Sequence, residues 1–241
     1  MTEPDRSYAR AAGLAHVGML TTLEEKVAPV HTAVLVIDMQ NDFCAEGGMM
    51  QREGLDLSAV QAMAGRLPPF LDAARAAGAL VVFVRNVYST DTNHYLSDAW
   101  LEQASRRRRG SYTQYPVCAA GSWEGDYYGA VRPAENDPVI TKHRYSAFHN
   151  TDLDTVLHAR GVRTLVLTGV AANVCVETTA REAFVRDYYV VFPADGSACY
   201  SAEDQEATLR NIDRYFGEVV ELAAIRAAWP ATASGERSVL A

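Results

Sequence analysis

TAVLVID, residues 32–38, is a run of six apolar or β-branched residues closed by a carboxylate. A run with no polar alternation suits a strand covered on both faces, which is the habit of a central strand in a parallel sheet. Working outward, runs of the same kind recur at ALVVFV (79–84), DPVIT (137–141), RTLVLT (163–168) and YYVVF (188–192), with VVEL (219–222) as a sixth. Between them lie segments with helical spacing. Leu57 to Ala77 is one, ended by Gly78, with Pro68-Pro69 expected to break and restart it. Thr151 to Gly161 is another, with Thr151 as its N-cap and Asp154 as the acid three residues on. Cys175 to about Asp187 and Ala202 to Tyr215 complete the set, and Leu20 to Val27 is a candidate short helix.

Strands that alternate with helices imply parallel pairing with helices on both faces. The expected fold is therefore α/β: a Rossmann-like, three-layer α/β/α arrangement around a mostly parallel, six-stranded sheet. We read residues 31–228 as one domain, 1–30 as an N-terminal arm over the body or a partner subunit, and 229–241 as a loose tail. Residues 86–136 are read as a long irregular insertion, of the sort that usually carries function.

The chain has 241 residues, of which 49% are apolar, enough for a full-sized core. Its net charge of −8 is a poor match for nucleic acid or an anionic membrane. Apolar runs fall well short of the roughly 18 residues of a membrane span. The charged opening MTEPDRSYARAAG lacks a secretory apolar core, so the expectation is a cytoplasmic protein. The four cysteines, Cys44, Cys118, Cys175 and Cys199, form no CxxC pair and read as reduced thiols. Arg106 to Arg109 reads as a solvated loop, or as a lid that attracts a carboxylate-bearing substrate.

In open α/β sheets, sites form outside the carboxyl ends of the strands. Asp38 ends the first strand, Lys142 follows the third, and Cys175 opens the helix after the fourth. A helix N-terminus and a nearby ammonium both favour a thiolate. A carboxylate can take the thiol proton as general base, and N–H groups at the start of the helix can face a developing oxyanion. Each residue also has an ordinary reading. A cysteine at a helix start packs, an acid at a strand end caps, and a lysine after a strand is solvated.

The stretches VLVIDMQNDFC (34–44), ITKHRYSAFHNTDLDTVLHARGVRTLVLTGVAANVCVETTAREAF (140–184) and YYVVFPAD (188–195) carry a resemblance. Over roughly residues 32 to 220 the chain resembles the isochorismatase-like cysteine hydrolases. The resemblance implies a catalytic triad of Asp38, Lys142 and Cys175. It also implies a cis peptide between Val170 and Ala171, and an oxyanion hole at the backbone N–H groups of Ala171 and Cys175. Ala172 stands where members often have Thr. The presence of Cys175 favours C–N hydrolysis over cleavage of a vinyl ether.

Within the family, GSWEGD (121–126), the RYSAFHNT block and NVCVE are most similar to ureidoacrylate amidohydrolases, with biuret and N-carbamoylsarcosine amidohydrolases as close relatives. The implied function is a cysteine-dependent amidohydrolase that releases ammonia from a small ureido, carbamoyl or carboxamide compound. By the same resemblance Asn86 and Tyr88 contact substrate, and Gln40 and Tyr145 are further candidates; rim packing is the alternative for the two tyrosines. No cofactor is implied. The region after the second strand lacks the Asp-x-His of metal-dependent nicotinamidases, although Asp91 and His94 lie there. A homo-oligomer, dimer or tetramer, is the implied assembly. The rival readings are another small-carboxamide hydrolase, including the nicotinamidase type, and a catalytically silent binding domain.

Overall fold

The computed structural model describes residues 18–107 and 111–229. Seven strands form one parallel sheet: β1 (Thr32–Ile37), β2 (Leu80–Asn86), β3 (Val139–Lys142), β4 (Thr164–Val170), β5 (Tyr189–Pro193), β6 (Ser197–Ala198) and β7 (Glu218–Val220). Their order is β3-β2-β1-β4-β5-β7, with the two-residue β6 pairing with β4. The six main strands are those expected. The seventh is too short to show as an apolar run.

The register explains why TAVLVI reads as continuous apolar sequence. β1 lies between β2 and β4, pairing Ile37 with both Val84 and Gly169. Its side chains alternate between two cores. Val34 and Val36 join Val81, Phe83 and Val166 on one face. Ala33, Leu35 and Ile37 join Val82, Leu165 and Leu167 on the other. All six residues of β1 are buried.

The chain winds outward from β1 to β3 and then restarts on the other side of β1 with β4. This reversal opens a crevice at the carboxyl ends of β1 and β4, the standard ligand position in such sheets. Close approach there requires a glycine. A Cβ on Gly169 would stand 2.0 Å from the Ile37 carbonyl oxygen, and Gly169 has a φ of +108°.

Several local readings are corrected. Helix Ser58–Ala77 runs unbroken through Pro68 and Pro69. Leu67, Phe70 and Leu71 bury one face against the sheet, while Pro69 lies on the exposed side. The burial of that apolar face outweighs the hydrogen bonds the prolines cannot donate. The helix near Thr151 begins at Leu153 with Asp152 as its N-cap, although the Thr151 hydroxyl accepts from the Leu153 N–H at 3.3 Å. The insertion is less irregular than expected: helices Asp98–Arg107 and Ser111–Gln114 lie within it. A helix at Leu222–Ala228 was also not anticipated.

The described part of the arm, 18–30, lies on the body. Lys26 pairs with Glu218 at 2.7 Å, and Val27 is fully buried. Trp229, read as the start of the tail, stacks on Phe70 and donates through Nε1 to the Val27 carbonyl at 2.8 Å. Residues 1–17 of the arm and 230–241 of the tail lie outside the described residues. Among the described residues, no helix is long and apolar enough to cross a membrane.

Candidate active site

Three strand ends converge on one buried cluster. Asp38 follows β1 in the left-handed region, φ 54°, a conformation that Asp tolerates better than most residues. Its own N–H is held by the Val84 carbonyl at 2.8 Å. Lys142 ends β3, two strands away, and reaches past β2 so that Nζ lies 2.8 Å from Asp38 Oδ2. The same Nζ lies 3.4 Å from Cys175 Sγ and donates to the Arg144 carbonyl at 3.1 Å. Asn86 ends β2, between the two, and donates through Nδ2 to Asp38 Oδ2 at 2.8 Å. Its Nδ2 is 4.0 Å from Cys175 Sγ. Asp38, Asn86 and Lys142 are each at most 1% exposed.

Cys175 follows β4 by a different local route from the one expected. The segment Ala172–Val176 is a π-helical turn, and the α-helix proper starts at Glu177. Such turns are rare and recur at functional sites. The peptide between Val170 and Ala171 is cis.

Burial dominates the electrostatics. It pushes the Asp38 carboxyl up despite the opposing Lys142 charge. Burial alone pulls the Lys142 ammonium down, but the Asp38 charge and the hydrogen bonds to Asp38 and Cys175 outweigh it, and its pKa is raised above the ordinary lysine value. The Cys175 thiol is pushed up to about 12, first by burial and then by the Asp38 charge, against the pull of Lys142. Burial thus outweighs the pull of the ammonium toward a thiolate. With Asp38 as carboxylate, Lys142 as ammonium and Cys175 as neutral thiol, the cluster carries no net charge. Passing the thiol proton to Asp38 leaves thiolate, ammonium and neutral acid, again with no net charge. Burial opposes loss of that proton to solvent far more than its transfer within the cluster.

Asp38, Cys175, Ala171, Tyr88 and Tyr145 line one narrow, partly open pocket of about 20 Å³, together with Phe43, Met50, Tyr112, Val170 and Val174. Tyr88 and Tyr145 therefore border Asp38 and Cys175. Asn86 touches the triad directly. Gln40 has a different position. Its Oε1 accepts from the Asn86 N–H at 2.7 Å, and its Nε2 donates to the carbonyls of Asn86 and Gly125 at 2.9 Å each. It braces Asn86 and ties the GSWEGD segment to the site. That segment is held further by the Asn41 N–H on the Asp126 carbonyl, 2.9 Å, and the Asp42 N–H on the Glu124 carbonyl, 3.0 Å. Phe43, Met50 and Tyr112 were not found from sequence; they reach the pocket from turns and the insertion, where no periodicity points to them. Among the described residues, no group of three or more His, Cys, Asp or Glu forms a metal-ligand set.

The comparisons bear on the family and the fold. The family model for the isochorismatase domain matches residues 32–224. Ureidoacrylate amidohydrolase RutB of Methylorubrum extorquens is 40% identical over 209 residues, which is 82% of each chain. A cysteine hydrolase from Pseudomonas syringae pv. phaseolicola superposes with a TM-score of 0.71 at 31% identity, covering 83% of this chain and 92% of that one. The N-carbamoylsarcosine amidase of Thermoplasma acidophilum superposes with a TM-score of 0.62 at 25% identity, covering 80% and 96%. The protein belongs to the isochorismatase family.

Proposed function

We propose that the protein is a cysteine-dependent amidohydrolase of ureidoacrylate-amidohydrolase type, acting on a small ureido, carbamoyl or carboxamide compound. The observation that carries this is the position of Lys142 Nζ, 2.8 Å from Asp38 Oδ2 and 3.4 Å from Cys175 Sγ. One buried cation holds a base and a thiol together.

Asp38 takes the Cys175 proton, and Lys142 stabilises the thiolate that forms. Sulfur attacks the carbonyl carbon. The backbone N–H groups of Ala171 and Cys175 receive the oxyanion. The tetrahedral intermediate collapses, the C–N bond breaks, and the nitrogen leaves with the proton from Asp38. Asp38 then takes a proton from water, the hydroxide attacks the thioester or thiocarbamate, and the proton returns to sulfur. A carboxamide yields ammonia directly. A terminal ureido group cleaved at its inner nitrogen yields carbamic acid, which breaks down to ammonia and carbon dioxide.

The same reading takes the protein as a cytoplasmic homo-oligomer, dimer or tetramer. The apolar side chains exposed at Phe184 (48%), Val185 (72%) and Tyr215 (61%) support a subunit contact, which light scattering tests.

The test is ammonia release from ureidoacrylate, biuret, N-carbamoylsarcosine, maleamate, nicotinamide and simple aliphatic amides. Release from a ureido compound is the expected result. Release only from plain carboxamides would move the substrate class. Failure with all of them, together with a Cys175 that iodoacetamide does not alkylate, would mark a silent domain.

A further inference from the structure

The turn that carries Cys175 has an irregular hydrogen-bond ladder. The Val174 N–H donates to the Ala171 carbonyl at 3.0 Å, and the Val176 N–H donates to the same carbonyl at 3.3 Å. One carbonyl thus serves two donors, the second beyond the usual length. A shorter bond reaches the turn from the helix that follows. Thr179 is fully buried, and its Oγ1 donates to the Cys175 carbonyl at 2.7 Å. A helical threonine often bonds the carbonyl four residues back, and that alone would be an ordinary local contact. The same Oγ1 also accepts from the Ala147 N–H at 3.0 Å, and Ala147 lies 32 residues earlier, in the loop after β3.

That loop helps to place the ammonium. Lys142 has three donors on Nζ, and its partners are Asp38 Oδ2, Cys175 Sγ and the Arg144 carbonyl, the last at 3.1 Å. The Arg144 carbonyl therefore helps to fix where Nζ stands relative to the sulfur. Three residues on, both backbone polar groups of Ala147 meet threonine hydroxyls. Its N–H goes to Thr179, and its carbonyl accepts from Thr151 Oγ1 at 2.6 Å. The loop also docks on the helix at a second place, where the Ser146 hydroxyl donates to Glu182. The Thr179 hydroxyl is thus a buried, two-bond link between the Cys175 main chain and the loop that holds Lys142.

We propose that Thr179 is a positioning residue for the nucleophile, holding Cys175 Sγ and Lys142 Nζ at their 3.4 Å separation. Without its hydroxyl the Cys175 carbonyl and the Ala147 N–H lose their common anchor. Ser146 and Glu182 keep loop and helix docked, but away from the sulfur. The thiolate that forms in the reaction is then less well stabilised by the ammonium. Thr179 is not among the residues lining the pocket, so it acts through Cys175 and the loop rather than on substrate. The inference takes Cys175 as the reacting group, from the reading above, and is independent of which amide is cleaved.

The test measures how fast iodoacetamide, itself a small carboxamide, alkylates Cys175 near neutral pH. Wild type, Thr179→Ser, Thr179→Val and Thr179→Ala are compared, with the modified site identified by mass spectrometry and thermal unfolding followed beside it. Thr179→Val keeps the side-chain shape and removes both hydrogen bonds. Its alkylation is expected to be at least about tenfold slower, the scale of a small displacement of reacting groups. Thr179→Ser keeps the hydroxyl and is expected to react at close to the wild-type rate. A threonine that only supports the fold would lower the melting temperature of Thr179→Val and leave the rate unchanged, and that result overturns the proposal. A faster rate overturns it too, as does a Thr179→Ser as slow as Thr179→Val. All four cysteines are buried, so a variant that fails to fold declares itself by labelling at every one of them. The comparison then rests on Thr179→Ala, which is expected to be slowed as well. A wild type whose Cys175 takes no iodoacetamide overturns the nucleophile reading together with this one. A labelled wild type with unslowed variants overturns the role of Thr179 alone.

Discussion

Lys142 and Asp38 form a buried ion pair of 2.8 Å across an intervening strand: β3 carries one, β1 the other, and β2 lies between them. Asn86, at the end of β2, fills the gap with a hydrogen bond to the same carboxylate oxygen. Both charged side chains are at most 1% exposed, so neither can exchange its partner for water. The predictions below follow from that arrangement.

Removing the cation leaves a buried carboxylate alone. Lys142→Met is expected to destabilise the fold by roughly 3–5 kcal/mol, as broken buried pairs do. Urea denaturation measures this. A change below about 1 kcal/mol, the range of a solvated surface pair, would contradict it.

The pH dependence of the thiol follows from its raised pKa of about 12. The linkage has a definite sign. A folded pKa above the unfolded one means that this contribution to stability is complete at neutral pH. It is lost as pH rises from the ordinary thiol range toward 12. Thermal midpoints of wild type should therefore fall in that alkaline range, and Cys175→Ala should fall less.

Gln40 braces rather than binds. Gln40→Ala removes the partner of the buried Asn86 N–H and one donor each from the carbonyls of Asn86 and part-buried Gly125, at a cost of about 1–3 kcal/mol. Activity should fall mainly through kcat, with KM little changed, because Asn86 and Asp38 lose their support. A rise in KM at unchanged kcat would instead make Gln40 a substrate contact.

Gly169 holds β4 against β1 just before the π-helical turn that carries Cys175. Gly169→Ala places a methyl 2.0 Å from the Ile37 carbonyl at a φ that suits glycine. The expected loss is above about 3 kcal/mol, measured by thermal or urea unfolding. A variant of wild-type stability would contradict the close approach.

The strands and the triad were legible because each rests on local pattern plus topology. A doubly covered strand must read as an apolar run, and strand ends in a parallel sheet must meet at one edge. Asp38, Lys142 and Cys175 come together on those grounds alone. What escaped depends on surroundings that arrive from elsewhere in the chain. The protonated state of Cys175 is set by burial, which no local spacing reports. Gln40 stands beside Asp38 in sequence, but its partners are Asn86 and Gly125. Pro68-Pro69 breaks a helix by local rules, yet the apolar face of Leu67, Phe70 and Leu71 keeps it whole. Tyr112 enters the site from a helical turn in an insertion that showed no strand or helix signal.

The most direct measurement is the mass of the enzyme during turnover. Wild type is mixed with excess substrate, quenched in acid and analysed intact and after digestion. The predicted result is an acyl or carbamoyl adduct on Cys175, with turnover reduced at least about a thousandfold in Cys175→Ala. Turnover by Cys175→Ala within about tenfold of wild type, with no adduct on the wild-type thiol, would contradict covalent catalysis by Cys175.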